Sequence, residues 1–193
     1  MSDTPPPLSG SAEAGSSIRP VRPLALVGMM GAGKSTIGRR LAARLQLPFK
    51  DSDQEIELAA GCSVADLFER IGEAAFREGE RRVIDRLLDG KPLVLATGGG
   101  AFVQAQTRAL IQARATTIWL HADLDTLVER TGRRDTRPLL RQGDPRATLA
   151  RLMRDRDPAY AQADVHVASH DGPHTAVVAD ILARLAALQG EQV

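Results

Sequence analysis

Cysteine is almost missing from this chain. The single one, Cys62, cannot close an internal disulfide, and no Cys/His cluster offers zinc a ligand set. A reducing cytoplasm is the expected compartment. Aromatic residues make up only 3% of the sequence, which leaves few platforms on which nucleic-acid bases could stack. An excess of either charge is missing too. Lys plus Arg number 25 against 24 for Asp plus Glu, a net charge of +1, so no global field marks nucleic acid or an anionic membrane as a partner. No apolar run reaches the length of a membrane span, and the opening residues lack the charged-then-apolar order of a signal peptide. What remains is 193 residues with 43% hydrophobic content, enough for one well-buried α/β domain. A monomer is expected, because no apolar stripe is left over.

Residues 1 to about 20 are rich in Pro, Ser, Gly and Ala and nearly free of large apolar side chains. Such a stretch buries too little surface to offset chain entropy, so a disordered tail is expected before a single domain over 21–193. From Pro23 the pattern alternates. Apolar or β-branched runs at Leu24 to Val27, Leu93 to Thr97 and Thr116 to Leu120 read as strands, as do the short segment Phe49 to Asp51 and the alternating apolar and polar stretch Asp164 to Ala168. Helical periodicity falls between them: Lys34 to Leu45, a stretch to Gly61 capped by Ser52 or Asp53, Ser63 to Gly72, and Glu73 to Leu88. It resumes at Gln104 to Ala113, Leu124 to Thr131, Pro145 to Arg156 and Thr175 to Leu188, with Pro158 expected to stop the seventh helix. Alternation of this kind predicts an α/β fold, a parallel sheet of about five strands with helices on both faces. Ligands then bind at the carboxyl ends of the strands.

One of those ends carries a phosphate-binding loop. Gly28, Gly33, Lys34 and Ser35 fall on G-x-x-x-x-G-K-[ST], directly after an apolar strand and directly before a helix. Backbone N–H groups from Gly31, Ala32, Gly33 and Thr36 can curl around phosphate oxygens. Lys34 neutralises them, Ser35 can ligate Mg²⁺, and the helix adds its positive dipole end. The loop implies a bound nucleoside triphosphate and says nothing about the acceptor. A regulatory GTPase needs a base-reading N-K-x-D segment, and the sequence has none.

Three other constellations bear on the chemistry. Asp51 and Asp53 sit two apart at a strand end, so in extended geometry they share a face. One can hold Mg²⁺ through water while the other binds or deprotonates a hydroxyl, or Asp53 can simply cap a helix. Gly98, Gly99 and Gly100 end the third strand, where a nucleotide motor would usually place an acid. They offer backbone amides and open space to a small molecule, or else a flexible turn. Arginines crowd the polar stretch 132–144, with Arg130, Arg133, Arg134, Arg137 and Arg141 in or beside it. That stretch reads as a mobile lid able to exclude water and bring a guanidinium to a transferring phosphoryl group, or as a basic surface loop.

Taken together and in order, GMMGAGKST at 28–36, DSDQEIE at 51–57, FREGE at 76–80, GGG at 98–100, RPLL at 137–140 and RDPAY at 156–160 resemble the shikimate kinase family, over about Leu24 to Leu185. The resemblance implies a P-loop kinase that moves the γ-phosphoryl group of ATP to the 3-hydroxyl of shikimate with Mg²⁺. It implies that Lys34, Asp53 and Arg137 are catalytic, that Arg130 flanks adenine, and that Arg137 reaches the phosphates. Ser35 and, through water, Asp51 would serve the metal. Asp53, Arg77, Gly98, Gly99, Gly100 and Arg156 would bind shikimate, the two arginines gripping its carboxylate with paired donors. Ala159 stands where the family commonly has leucine, and the turn at His170 to Pro173 carries no signature of a role. Rival readings are another small kinase of the group, acting on gluconate or a nucleoside monophosphate, and an ATP-binding module that takes nucleic acid through its arginines.

Overall fold

The computed structural model describes residues 18, 20–132, 144–170 and 172–190. The stretches assigned above to a tail and to a lid therefore lie almost wholly outside the described residues, and Arg133, Arg134, Arg137 and Arg141 lie outside them too.

Five strands, β1 (Leu24–Val27), β2 (Phe49–Asp51), β3 (Val94–Ala96), β4 (Thr116–His121) and β5 (Val165–Ala168), form one all-parallel sheet in the order β2-β3-β1-β4-β5. β1 is central, and each of its four residues is at most 1% exposed. A strand buried on both faces has no polar side to show, which is why LALV reads as a continuous apolar run. Around the sheet lie α1 (Lys34–Leu45), α2 (Ser52–Ala60), α3 (Val64–Leu87), α4 (Ala105–Arg114), α5 (Leu124–Gly132), α6 (Pro145–Tyr160) and α7 (His174–Gly190). α1 and α7 pack on each other and on β3 and β5, while α4 packs on β4 and α3. Close approach of α1 depends on Gly38, since a Cβ there would stand 2.6 Å from the Phe49 ring and 2.9 Å from Leu26.

Two helix ends differ from the sequence reading. α2 is capped by Asp51, whose side chain accepts from Asp53 N–H, and neither Ser52 nor Asp53 is the cap. The helix begins at Ser52 directly after the strand, so the last extended residue, Asp51, takes the role. α6 does not stop before Pro158 but continues to Tyr160. The missing N–H of Pro158 falls in the final turn, and Ala161 N–H still closes the helix onto Asp157 at 2.8 Å. α3 is broken where expected: Gly72, at φ 76° and ψ 168°, separates a short capped helix from the long one that follows. Ser63 and Asp66 form the capping box at its start.

Candidate active site

The parallel sheet brings the carboxyl ends of β1, β2, β3 and β5 to one edge, and every described candidate residue is anchored there or on a helix beside it. In the glycine loop, Gly28, Gly31 and Gly33 have φ of 132°, 83° and 91°, values that side chains disfavour. Gly28 has a second constraint. A Cβ on it would lie 2.5 Å from the Leu120 carbonyl oxygen of neighbouring β4. Lys34 is buried at the start of α1 and its Nζ donates to the carbonyls of Gly28 and Met29 at 2.8 and 2.9 Å. The ammonium thus lies inside the curve of the loop.

β2 delivers the aspartates. Ser35 Oγ donates to Asp51 Oδ2 at 2.6 Å, while Asp51 Oδ1 holds the first turn of α2 through Asp53 N–H at 3.1 Å. Two hard oxygen donors therefore sit together beside the phosphate loop, a set that suits Mg²⁺. Asp53, in the first turn of the same helix, points elsewhere. Burial foremost, and then the Asp51 charge, push its carboxyl above the ordinary 3.8, with Lys34 and Arg77 pulling it back.

The three glycines after β3 explain where Asp53 points. A Cβ on Gly98 would stand 2.5 Å from Asp53 Oδ1 and 2.9 Å from Glu80 Oε1. A Cβ on Gly100 would stand 2.4 Å from Arg77 Nη2, and one on Gly99 would approach Arg156 Nη1 at 3.6 Å. Each glycine thus faces one residue assigned to the acceptor. The space expected to be left open for a small molecule is, at Gly98 and Gly100, taken by the protein's own Asp53, Glu80 and Arg77 side chains. Nor is the segment a loose turn. Gly98 N–H donates to Ser52 Oγ at 2.9 Å, and the Gly98 and Gly100 carbonyls accept from Ala101 and Val103 at 3.2 Å each.

Arg77 is held from several sides. Its Nη1 donates to Glu80 Oε2 at 2.7 Å, Glu73 lies at 3.4 Å, and its guanidinium carbon lies 5.3 Å from the ring centres of Phe68 and Phe76. Glu80 is 1% exposed, and burial raises its carboxyl pKa despite the arginine. Arg156 Nη1 donates to the Gly99 carbonyl at 3.4 Å, and the Tyr160 hydroxyl donates to the same oxygen. On the nucleotide side, Arg130 donates to Ser169 Oγ at 3.0 Å and to the His170 carbonyl at 2.6 Å, within 3.9 Å of where a Cβ on Gly33 would stand. Arg137 lies outside the described residues.

A family model for shikimate kinase matches residues 30–186. The chain belongs to the shikimate kinase family. A shikimate kinase of Bradyrhizobium diazoefficiens is 55% identical over 194 residues, covering 100% of this chain and 94% of that one. One from Paramagnetospirillum magneticum is 60% identical over 161 residues, 83% of each chain. Among solved structures, a shikimate kinase from Acinetobacter baumannii in complex with shikimate superposes with a TM-score of 0.83 at 38% identity, covering 86% of this chain and 94% of that chain. A gluconokinase from Sinorhizobium meliloti shares the fold, with a TM-score of 0.63 at 21% identity.

Family membership sets the frame in which residues missed by sequence reasoning matter. Glu80 and Tyr160 lie inside FREGE and RDPAY, three residues after Arg77 and four after Arg156, spacings that put each beside its arginine on one helix face. Those spacings were the available signal. Ser52, between the two aspartates, and Ser169, after β5, carried none, because their roles depend on strand neighbours distant in sequence.

Proposed function

We propose that the protein transfers the γ-phosphoryl group of ATP to the 3-hydroxyl of shikimate, giving shikimate 3-phosphate and ADP. The observation that carries the reading is the row Gly98, Gly99, Gly100, against which Asp53, Arg156 and Arg77 are packed in turn. A carboxylate that can take a hydroxyl proton and two guanidiniums that can take a carboxylate converge on one backbone segment beside the phosphate loop. That set matches a small hydroxylated acid.

In this reading Gly31, Ala32, Gly33 and Thr36 present backbone amides to the phosphates, and Lys34 neutralises charge on them. Ser35, with Asp51 through water, would hold Mg²⁺, which when bound draws charge from the phosphate oxygens. The acceptor oxygen forms its bond to the γ-phosphorus as the bond to the β,γ-bridging oxygen breaks, and the hydroxyl proton passes to Asp53. Burial makes the Asp53 carboxylate a stronger base than an ordinary aspartate. Because the transition state of phosphoryl transfer is loose, position counts for more than base strength. Arg130 flanks the adenine and Arg137 serves the phosphates as a lid residue. The protein acts as a cytoplasmic monomer of one domain, without nucleic acid or membrane as partner.

A coupled ADP-release assay with shikimate, gluconate and nucleoside monophosphates tests this. ADP should appear with shikimate alone, and Lys34→Met should abolish it. Turnover of gluconate or a nucleotide in place of shikimate would favour another kinase of the group, and full shikimate-dependent release by Lys34→Met would overturn the mechanism.

A further inference from the structure

The acceptor half of the site contains a buried phenol with no role in the reaction described above. Tyr160, the chain's only tyrosine, is fully buried. Its hydroxyl donates to the Gly99 carbonyl, which also accepts from Arg156. Burial raises the phenol to about 12, so the hydroxyl stays protonated and remains a donor through the working pH range. The ring also leans on the only tryptophan, Trp119, with centroids 6.1 Å apart. Trp119 in turn lies 3.2 Å from the place a Cβ on Gly28 would occupy. One buried ring therefore bridges the wall behind the phosphate loop and the middle of the three-glycine segment.

Backbone geometry gives that contact a consequence. In a trans peptide the carbonyl and the next N–H point in opposite directions. Holding the Gly99 carbonyl toward α6 aims the Gly100 N–H away from it. The Gly98 N–H and the carbonyls of Gly98 and Gly100 already have protein partners. Among the described residues, the N–H groups of Gly99 and Gly100 have no protein acceptor.

We propose that Tyr160 is a positioning residue for the acceptor: with Arg156, its hydroxyl holds the Gly99 carbonyl on the α6 side and so keeps the open Gly100 N–H of the same peptide turned outward as a donor to the acceptor. The inference rests on the acceptor reading above. It differs from the alternative of a core phenol that merely satisfies its own hydroxyl, which would lower stability without discriminating between the two substrates.

Tyr160→Phe keeps the ring and its contact with Trp119 and removes only the hydroxyl. The expected result is a KM for shikimate raised about tenfold, the loss of roughly one hydrogen bond, with kcat and the KM for ATP within about twofold of wild type. Amide exchange over residues 98–101 should quicken by a similar factor. An equal rise in both KM values, or unchanged exchange over 98–101, would overturn the proposal. A second measurement keeps the native hydroxyl: with one tyrosine in the sequence, 3-fluorotyrosine labelling yields a single ¹⁹F resonance, which should move when shikimate saturates the protein. A resonance that stays put counts against the role. If the wild type releases no ADP with shikimate, the acceptor reading fails, while exchange in Tyr160→Phe still decides whether the hydroxyl holds the segment.

Discussion

Replacing Gly98 with alanine adds one carbon and should disable the enzyme without unfolding it. Gly98 does not adopt a left-handed φ, so alanine meets no backbone strain there. The added Cβ would instead meet Asp53 Oδ1 at 2.5 Å and Glu80 Oε1 at 2.9 Å, against the 3.4 Å at which ordinary contact begins. Glu80 cannot give way cheaply, because Arg77 holds it at 2.7 Å. Asp53 must therefore retreat by about 0.9 Å, the gap between those contact distances. A misplacement of about 1 Å at a reacting group costs on the order of 10²-fold in rate, while overpacking of this kind costs roughly 1–3 kcal/mol in stability. Steady-state kinetics with both substrates varied, thermal unfolding, and binding of a non-hydrolysable ATP analogue separate the two effects. We expect kcat/KM for shikimate to fall about 100-fold with analogue affinity within about twofold of wild type. Activity within about threefold of wild type, or a matching loss of analogue affinity, would refute the placement of Asp53 against Gly98.

Two further outcomes follow from the buried charges. The Asp53 carboxyl lies above 3.8 in the folded protein, so between 3.8 and that raised value the folded state holds more protons than the unfolded state, and stability falls as pH rises through the window. Asp53→Asn should accordingly be inactive yet more stable than wild type at neutral pH, a difference that urea unfolding should show vanishing as pH drops to 3.8. Arg77→Ala and Arg156→Ala should both raise the KM for shikimate and spare that for ATP, but they should differ in stability. Loss of Arg77 strands the 1% exposed Glu80 carboxylate, at a cost of about 3 kcal/mol, whereas loss of Arg156 strands no buried charge and gives up a 3.4 Å contact to the Gly99 carbonyl and an interaction with the Tyr160 hydroxyl; equal losses of stability in the two variants would count against this account.

Local signals made much of the fold legible. The sheet was readable because β1 and β3 are short apolar runs buried on both faces, because β5 alternates buried and exposed residues, and because Gly, Pro or a cap bounds the strands. The phosphate loop was readable because its chemistry lies in consecutive residues. The acceptor side was legible only as scattered motifs, since Asp53, Arg77, Gly98 and Arg156 meet through the order β2-β3-β1 and not through spacing. Sequence gave no sign that Gly98 and Gly100 are small to admit Asp53 and Arg77, because that reason belongs to the packing. Nor did it show that α6 passes through Pro158 to bring Tyr160 onto Gly99. A proline near a helix end reads as a stop unless the carbonyls behind it are known to have other partners.

The most direct test of the central claim is to identify the product. Wild-type protein incubated with ATP, Mg²⁺ and shikimate should convert shikimate to a single phosphorylated species, one per ADP released, with phosphorus-coupled NMR signals at the 3-position. ADP formed without phosphorylated shikimate, or phosphate placed on another hydroxyl, would contradict the account of Asp53, Arg77 and Arg156 as the acceptor's partners.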